Sequence, residues 1–525
     1  MNLQAKFWMS LLLWLGLLSS NCVASTVTDL KVLHLINRLS FGPRPGEIER
    51  VKSIGVERYI QEQLSPDIPY PADLAAQLDS LETINLSSKE LLAYSLPLHP
   101  KGQKPSREEI MAARGRSRLV QDQAAQARLL QDIKSPRQLQ EVMTDFWYNH
   151  FNVFAGKGLD GFLVGAYEAE AIRPHALGNF RTLLEATANH PAMLYYLDNW
   201  QNTAPNSVGV RGMQGLNENY AREVMELHTL GVDGGYTQQD VIALARILTG
   251  WTFRRSNQPT DDNGFYFNPK RHDFGDKVFL GQTIKGSGVE EGEQALDILA
   301  RSPATAHHIS YELAQYFVAD RPPAALVERL TRRFLATNGD IREVLNTLFH
   351  SSEFQDPKNY GNKFKTPYQY VVSAIRATDT EVNNFRPIYG WLQQLGMPLY
   401  GCLTPDGYKN TQSAWLNPDA MTRRLSFATA LASGRLHLNQ APVVTMANPN
   451  LGATTLASLP QTPTQDLVGT MVSPQGGLSN QPVDAIQLSN TIGSQFSLQT
   501  QKAIAASPSQ LQSALILGSP EFMHY

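Results

Sequence analysis

Apolar side chains along most of this chain return at intervals of three and four residues, the period of a helix with one buried face. The clearest run is Leu139, Val142, Met143, Phe146 and Trp147, at i, i+3, i+4, i+7 and i+8. Ahead of it, Ser135 has the chemistry of an N-cap and Pro136 that of a first helical residue. Thr237 and Asp240 have the spacing of a capping box with a shortened acid, opening a helix through Val241, Leu244, Ala245 and Leu248. Further helices are predicted over 304–319, 324–336, 341–349, 368–377 and 419–433. The stretch 106–134 is long and mixed in charge, which predicts an exposed helix. Alternating β-branched residues are scarce. Only 265–267 and 278–284, around Gly281, have a strand pattern, and together they predict one short hairpin. No repeat of fixed period is present. The expected fold class is mainly α, a multi-helical compact body with at most a short β-hairpin.

The two ends depart from this pattern. Lys6 is followed by an apolar run from Phe7 to Leu18, interrupted by Ser10 and Gly16, and then by Ser19, Ser20, Val23, Ala24 and Ser25. That is the order of a secretory leader, with cleavage after Ala24 or Ser25. The run is shorter than the roughly 20 residues that cross a bilayer as a helix. No later run is long enough either, so no membrane span is expected after cleavage. The expected location is periplasmic or extracellular. Cys22 is not expected to carry a lipid, because Asn21 is a poor residue at a lipoprotein cleavage point. At the other end, Asp466, Asp484, Lys502 and Glu521 are the only charged side chains from His437 to Tyr525. The expected organisation is a signal peptide over 1–24, a helical body over 28–436, a flexible low-charge insertion over 439–482, and a helix over 505–525 that returns to the body. Leu511, Leu515 and Ile516 are its predicted apolar face.

Composition narrows the function classes. Of 525 residues, 42% are apolar and 18% charged, enough for a sizeable core. Forty-five basic against 48 acidic side chains give a net charge of −3, which argues against a nucleic-acid binder. Two cysteines exclude a disulfide scaffold and a cysteine-rich metal domain. Cys402 reads as a small buried apolar residue. The serine-hydrolase elbow, the phosphate loop and the zinc helix are absent, and no dinucleotide fingerprint follows a predicted strand.

Candidate chemistry gathers on a helix predicted over 217–230. At about 100° per residue, Tyr220, Val224 and Leu227 form its buried face. Asn219, Glu223 and Glu226 line one margin, and His228 lies on the other. Two carboxylates and an amide suit a hard cation such as Mg²⁺, Ca²⁺ or Mn²⁺, giving Glu223, Glu226 and Asn219 as metal candidates. The competing reading is an ion-pair network, with Arg222 neutralising Glu226 and Arg246 pairing with Glu223. His150 continues the apolar face of its helix and points inward, while Asp145 and Asn149 are predicted to turn away. His272 and Asp273 follow Lys270 and Arg271 in a predicted loop, where catalytic groups concentrate. His307 and His308 diverge by about 100° and cannot both face one site. The candidate catalytic set is Glu223, His150, His272 and Asp273, with a carboxylate as base and a histidine as acid or ligand. This is the chemistry of a metal-assisted hydrolase or lyase acting on an envelope or extracellular substrate. The alternative is a non-enzymatic envelope protein that binds a partner protein or polymer through Trp147, Tyr195, Tyr196, Trp200 and Trp251.

A set of phrases carries a resemblance. In order they are Asn37-Arg38-Leu39-Ser40-Phe41-Gly42-Pro43, Asp145-Phe146-Trp147-Tyr148-Asn149-His150-Phe151, His190-Pro191-Ala192-Met193-Leu194, and Asn217 through Gly231. Thr249-Gly250-Trp251-Thr252, His272-Asp273, Pro405-Asp406-Gly407-Tyr408 and Ser519-Pro520-Glu521-Phe522 complete it. The chain resembles the domain-of-unknown-function family 1800 (DUF1800) over nearly its whole length. The resemblance implies a bacterial exported protein without a settled activity, and it carries over no catalytic residues. It also implies a possible partner, an exported protein of the DUF1501 family. Cys402 stands where the family usually has an aromatic residue.

Overall fold

The computed structural model describes residues 29–525 apart from 66, 96–103, 206, 208–214, 255–262, 441–481 and 494–495. The expected leader and nearly all of the expected 439–482 insertion lie outside the described residues. Helices dominate the rest, and strands are confined to two antiparallel pairs, so the fold is mainly α. None of the described helices is long and apolar enough to cross a membrane.

Two helices form the centre. Gln138–His150 is buried except at Gln140 and Asn149, and Pro367–Thr378 is buried from Pro367 through Ala377. The first begins two residues later than its expected cap. Ser135 instead accepts the Arg137 N–H at 3.0 Å in a local turn. Because this helix is enclosed nearly all round, Asp145 and Asn149 do not turn out to solvent as the single-face reading expected. Asp145 takes a hydrogen bond from the buried Arg128, and Asn149 clasps a loop described below.

Arg107–Lys134 is the other helix that departs from expectation. Ser106 and Glu109 close a capping box at its start. Its charges do not keep it exposed, because from Val120 onward it enters the core. Arg128 donates to Glu168 at 3.1 Å, Arg173 bridges Glu168 (2.6 Å) and Glu141, and Tyr400 donates to Glu168 at 3.1 Å. A buried charge is tolerated when it is paired and its remaining hydrogen-bonding positions are filled. Burial pushes the Glu168 carboxyl up, although Arg128 opposes it.

The single hairpin expected from the sequence is two separate pairs. Lys277–Phe279 pairs with Gln282–Ile284 through a turn at Leu280 and Gly281, both at positive φ. Phe265–Phe267 pairs instead with Trp251–Phe253, a strand the alternation pattern did not mark. At the C-terminal end, Ser509–Leu517 packs on Pro418–Ala432. Its buried face is Ser513, Ile516 and Leu517, while Leu511 and Leu515 are exposed. Tyr370 donates to the Leu517 carbonyl at 3.0 Å, and the Tyr525 N–H reaches the Lys363 carbonyl at 2.8 Å. Trp147, Trp251 and Tyr196 are core residues. Tyr195 and Trp200 are half-buried and stack on each other at 5.7 Å, so these five aromatics do not form an exposed contact surface.

Candidate functional site

A polar cleft of about 270 Å³ opens where four segments meet. These are the C-terminal end of Gln138–His150, the turn after Asn219–Glu226, the helix Pro303–Phe317, and the loop around 397–410. A cavity of about 320 Å³ elsewhere is lined by Arg128, Glu168 and Arg173, groups already committed to one another.

Local sequence explains the placement. The predicted 217–230 helix stops at Glu226, where the His228 N–H reaches back to the Glu223 carbonyl (3.1 Å) in a widened turn. Gly231 then turns the chain with φ +84°. A Cβ at Gly231 would come within 3.1 Å of His308 Nδ1, so glycine serves both the backbone conformation and the room at that nitrogen. Across the cleft, Gly407 has φ +64°, and a Cβ there would lie 2.2 Å from the Asn149 carbonyl oxygen. The close approach lets Asn149 accept the Tyr408 N–H at 2.7 Å and donate to the Tyr408 carbonyl at 2.8 Å. Asn152 donates to the Thr404 carbonyl at 2.8 Å. The loop is thereby tied to the helix end, which sets Asp406 and Lys409 at the cleft wall.

His150 is held through both ring nitrogens. Nδ1 is 2.7 Å from Glu312 Oε2, and Nε2 is 3.1 Å from the His228 carbonyl. A carbonyl only accepts, so Nε2 carries a proton and the ring presents no lone pair to the cleft. Burial pushes the Glu312 carboxyl up, but His150 and His308 outweigh it and hold the group below its usual value. His308 Nε2 lies 3.4 Å from the Leu227 carbonyl and 3.7 Å from Glu312 Oε1. Burial lowers the His308 pKa, favouring the neutral ring. With its Nε2 proton turned to these acceptors, the lone pair sits on Nδ1, beside Gly231. His228 lies behind the cleft, its Nε2 without a partner among the described residues and its pKa driven well down by burial.

The acids form a second group. Glu226 accepts the Tyr236 hydroxyl at 3.2 Å. Burial raises the Glu223 carboxyl above its usual range, and the charges of Glu226 and Asp406 add to this against Arg222. Asp406 is 2.7 Å from Lys409. Burial pushes it up, but the hydrogen bonds from Lys409 and Thr404 prevail and its pKa is lowered.

Several candidates fall elsewhere. Asn219 donates to the Leu197 carbonyl at 3.2 Å, away from the two glutamates. Among the described residues no three His, Cys, Asp or Glu side chains are grouped to hold a metal ion. The proposed arginine partners are also engaged differently. Arg246 pairs with Asp273 at 2.7 Å and Arg222 with Glu218 at 3.4 Å. His272 is buried with Nδ1 at 2.8 Å from the Thr249 carbonyl and Nε2 at 2.8 Å from Glu291, which also pairs with Lys277. His272 and Asp273 thus close a structural turn and do not line the cleft. His308, Glu312, Asp406 and Lys409 were missed as candidates. The available signal was the i, i+4 spacing of His308 and Glu312 on one helix; the adjacency of His307 and His308 obscured it.

Ser88, His190 and Glu170 look like a nucleophile triad, with Ser88 Oγ 2.8 Å from both His190 Nε2 and Glu170 Oε2. His190 Nδ1 accepts the Ala192 N–H at 3.1 Å, which leaves the proton on Nε2. That tautomer cannot take the Ser88 proton, so the trio is a buried cap.

No curated protein and no solved structure matches the chain. The sequence model of one family, described as "Protein of unknown function (DUF1800)", matches residues 34–524. That match takes in both walls of the cleft and nearly the whole chain, and this protein belongs to the DUF1800 family.

Proposed function

We propose that the cleft is the active site of a hydrolase or lyase that acts by general acid–base chemistry on an envelope or extracellular substrate. The observation that carries this reading is that Glu226, alone among the acids that line this cleft, has no ion-pair partner among the described residues, that its neighbour Glu223 has none either, and that His308, whose burial favours the neutral ring, lines the same cleft. His308 Nδ1 is the base, and the Leu227 carbonyl orients its ring through Nε2. Glu226 supplies the acid at the cleft wall, and burial biases the neighbouring Glu223 carboxyl toward its protonated form. In hydrolysis His308 takes a proton from water while the carboxyl protonates the leaving group. In elimination His308 takes a proton from carbon, and the same carboxyl serves the departing oxygen. Export, and association with an exported protein of the DUF1501 family, belong to the same proposal; they rest on the leader pattern and the family resemblance.

The test is incubation of the purified protein with envelope polysaccharide and peptidoglycan fractions, following new reducing ends and unsaturated products. Wild type should generate one of these products. His308→Asn and Glu226→Gln should each slow its formation by about 10²–10⁴-fold, while the surface change Glu343→Gln leaves it unchanged. Absence of product from either fraction, or variants as fast as wild type, refutes the reading.

A further inference from the structure

The cavity of about 320 Å³ that stands apart from the cleft shares no lining residue with it among the described residues. The helices Ala72–Asp79, Ser88–Tyr94, Arg107–Lys134 and Asp160–Tyr167 wall it. Leu78, Ile84, Leu91 and Val120 give it an apolar lining. Ala124 and Ala166, on two helices that pack together, are too small to fill it. Well-packed interiors hold few voids larger than a water molecule, so an opening of this size is a feature of the fold. Among the described residues four charged side chains line it. Arg128, Glu168 and Arg173 are bonded to one another and to Asp145 and Glu141. The fourth, Asp79, is exposed.

Two backbone features of its lining are ones that proteins keep at functional sites. Glu168–Ile172 is a turn of π-helix, a rare form that recurs as single turns beside such sites. It brings Glu168 and Ala169 to the cavity. Ala169 is exposed there, although the helix before it, Asp160–Tyr167, is buried at every position but Gly165. Tyr400, also on the lining, has φ +53°. A bulky residue holds that left-handed conformation only where its surroundings over-determine it, and the Tyr400 hydroxyl is fixed on Glu168 at 3.1 Å.

We propose that this cavity is a second binding site, for a small uncharged molecule with an apolar body, of the size of a medium-chain alcohol. The lining guanidiniums and the Glu168 carboxylate are spent on partners within the protein, so a charged ligand would give up its hydration and find no free counter-charge beside it. An anion would also meet Asp79 at the exposed edge. The apolar walls supply the affinity through the surface they remove from water. An apolar cavity of about 150 Å³ admits benzene, and this one is about twice as large.

The experiment is thermal unfolding of the full protein in 1-octanol, octanoate and octylammonium at equal low concentrations, together with crystals soaked in 1-octanol. These probes share one apolar body and differ in charge. The melting temperature should rise with 1-octanol by mass action and not with either ion. Ala169→Phe, which sets a ring on the lining, should abolish the rise, and the soaked crystal should show 1-octanol in the cavity. No rise with 1-octanol, an equal rise with octanoate or octylammonium, a response that survives in Ala169→Phe, or a soaked crystal without the alcohol in the cavity would each overturn the proposal. Should Ala169→Phe fail to fold, the wild-type series and the soaked crystal decide it. Because the cleft is not involved, none of these outcomes depends on its activity.

Discussion

Two histidine–carboxylate clusters in this protein start from similar residues and end in opposite conditions. Around His272, every charged group has a partner: Glu291 takes both the ring and Lys277, Asp273 takes Arg246, and the His272, Glu291 and Lys277 side chains are fully buried. Around His308, the acids Glu223 and Glu226 have no ion-pair partner among the described residues, and the cluster borders an open cleft. Both contain a histidine beside a glutamate, and both include residues of a family phrase, so residue type does not separate them. What separates them is whether the hydrogen-bonding and charge capacity is used up. A saturated cluster holds the fold together, while one with capacity left over is available for chemistry on a substrate.

The largest effect expected from this contrast is at Glu291. Glu291→Gln leaves Lys277 buried without its counter-charge, and such a loss costs about 3–5 kcal/mol. Urea unfolding should show it as a large drop in midpoint, or as failure to fold. The counterpart in the cleft, Glu226→Gln, should change stability by less than about 0.5 kcal/mol. Equal losses at the two positions would erase the distinction. An intermediate effect is expected at Asn149. Asn149→Ala removes both hydrogen bonds to Tyr408, and about 1–3 kcal/mol is the scale for partners left unsatisfied. Limited proteolysis should then find new cuts within 400–412, and the product yield of the cleft should fall with them. Intact 400–412 in the variant would mean that the loop does not depend on Asn149.

The smallest effect carries a sign. The Glu223 carboxyl is raised in the folded protein by burial and then by Glu226. A raised carboxyl favours the fold fully below its unfolded value, near pH 4, and that contribution is lost as pH climbs through the raised one. Glu223→Gln should therefore match wild type near pH 4 and exceed it by about 0.5 kcal/mol at most near pH 7.5, since the group is half exposed to solvent screening. Parallel unfolding curves at the two pH values check this. A variant less stable than wild type near pH 7.5 would mean that Glu223 has a cation partner after all, and the cleft would join the His272 cluster among the saturated networks.

Local signals in the sequence determined the mainly helical class, the Thr237–Asp240 cap, the inward direction of His150 and the burial of Cys402, because each depends on periodicity or on neighbours a few residues away. The family resemblance was legible too, since phrases survive as strings. The site was only partly legible. His150 and Glu226 reach the cleft, but the groups that share it come from 308, 312, 406 and 409, and no local rule couples such distant positions. The helical-wheel argument for 217–230 failed at the point where the helix unwinds into the Gly231 turn, a backbone event set by the packing of His228 and His308. Arg246 and Arg222 were sensible partners for Glu223 and Glu226 by charge, yet Asp273 and Glu218 took them. Burial on all sides likewise turned the charges of 107–134 and the side chains of Asp145 and Asn149 into interior contacts. Periodicity decides which residues form a helix, while only tertiary packing decides which helix faces are covered, and hence which charges are matched and which are left free to act.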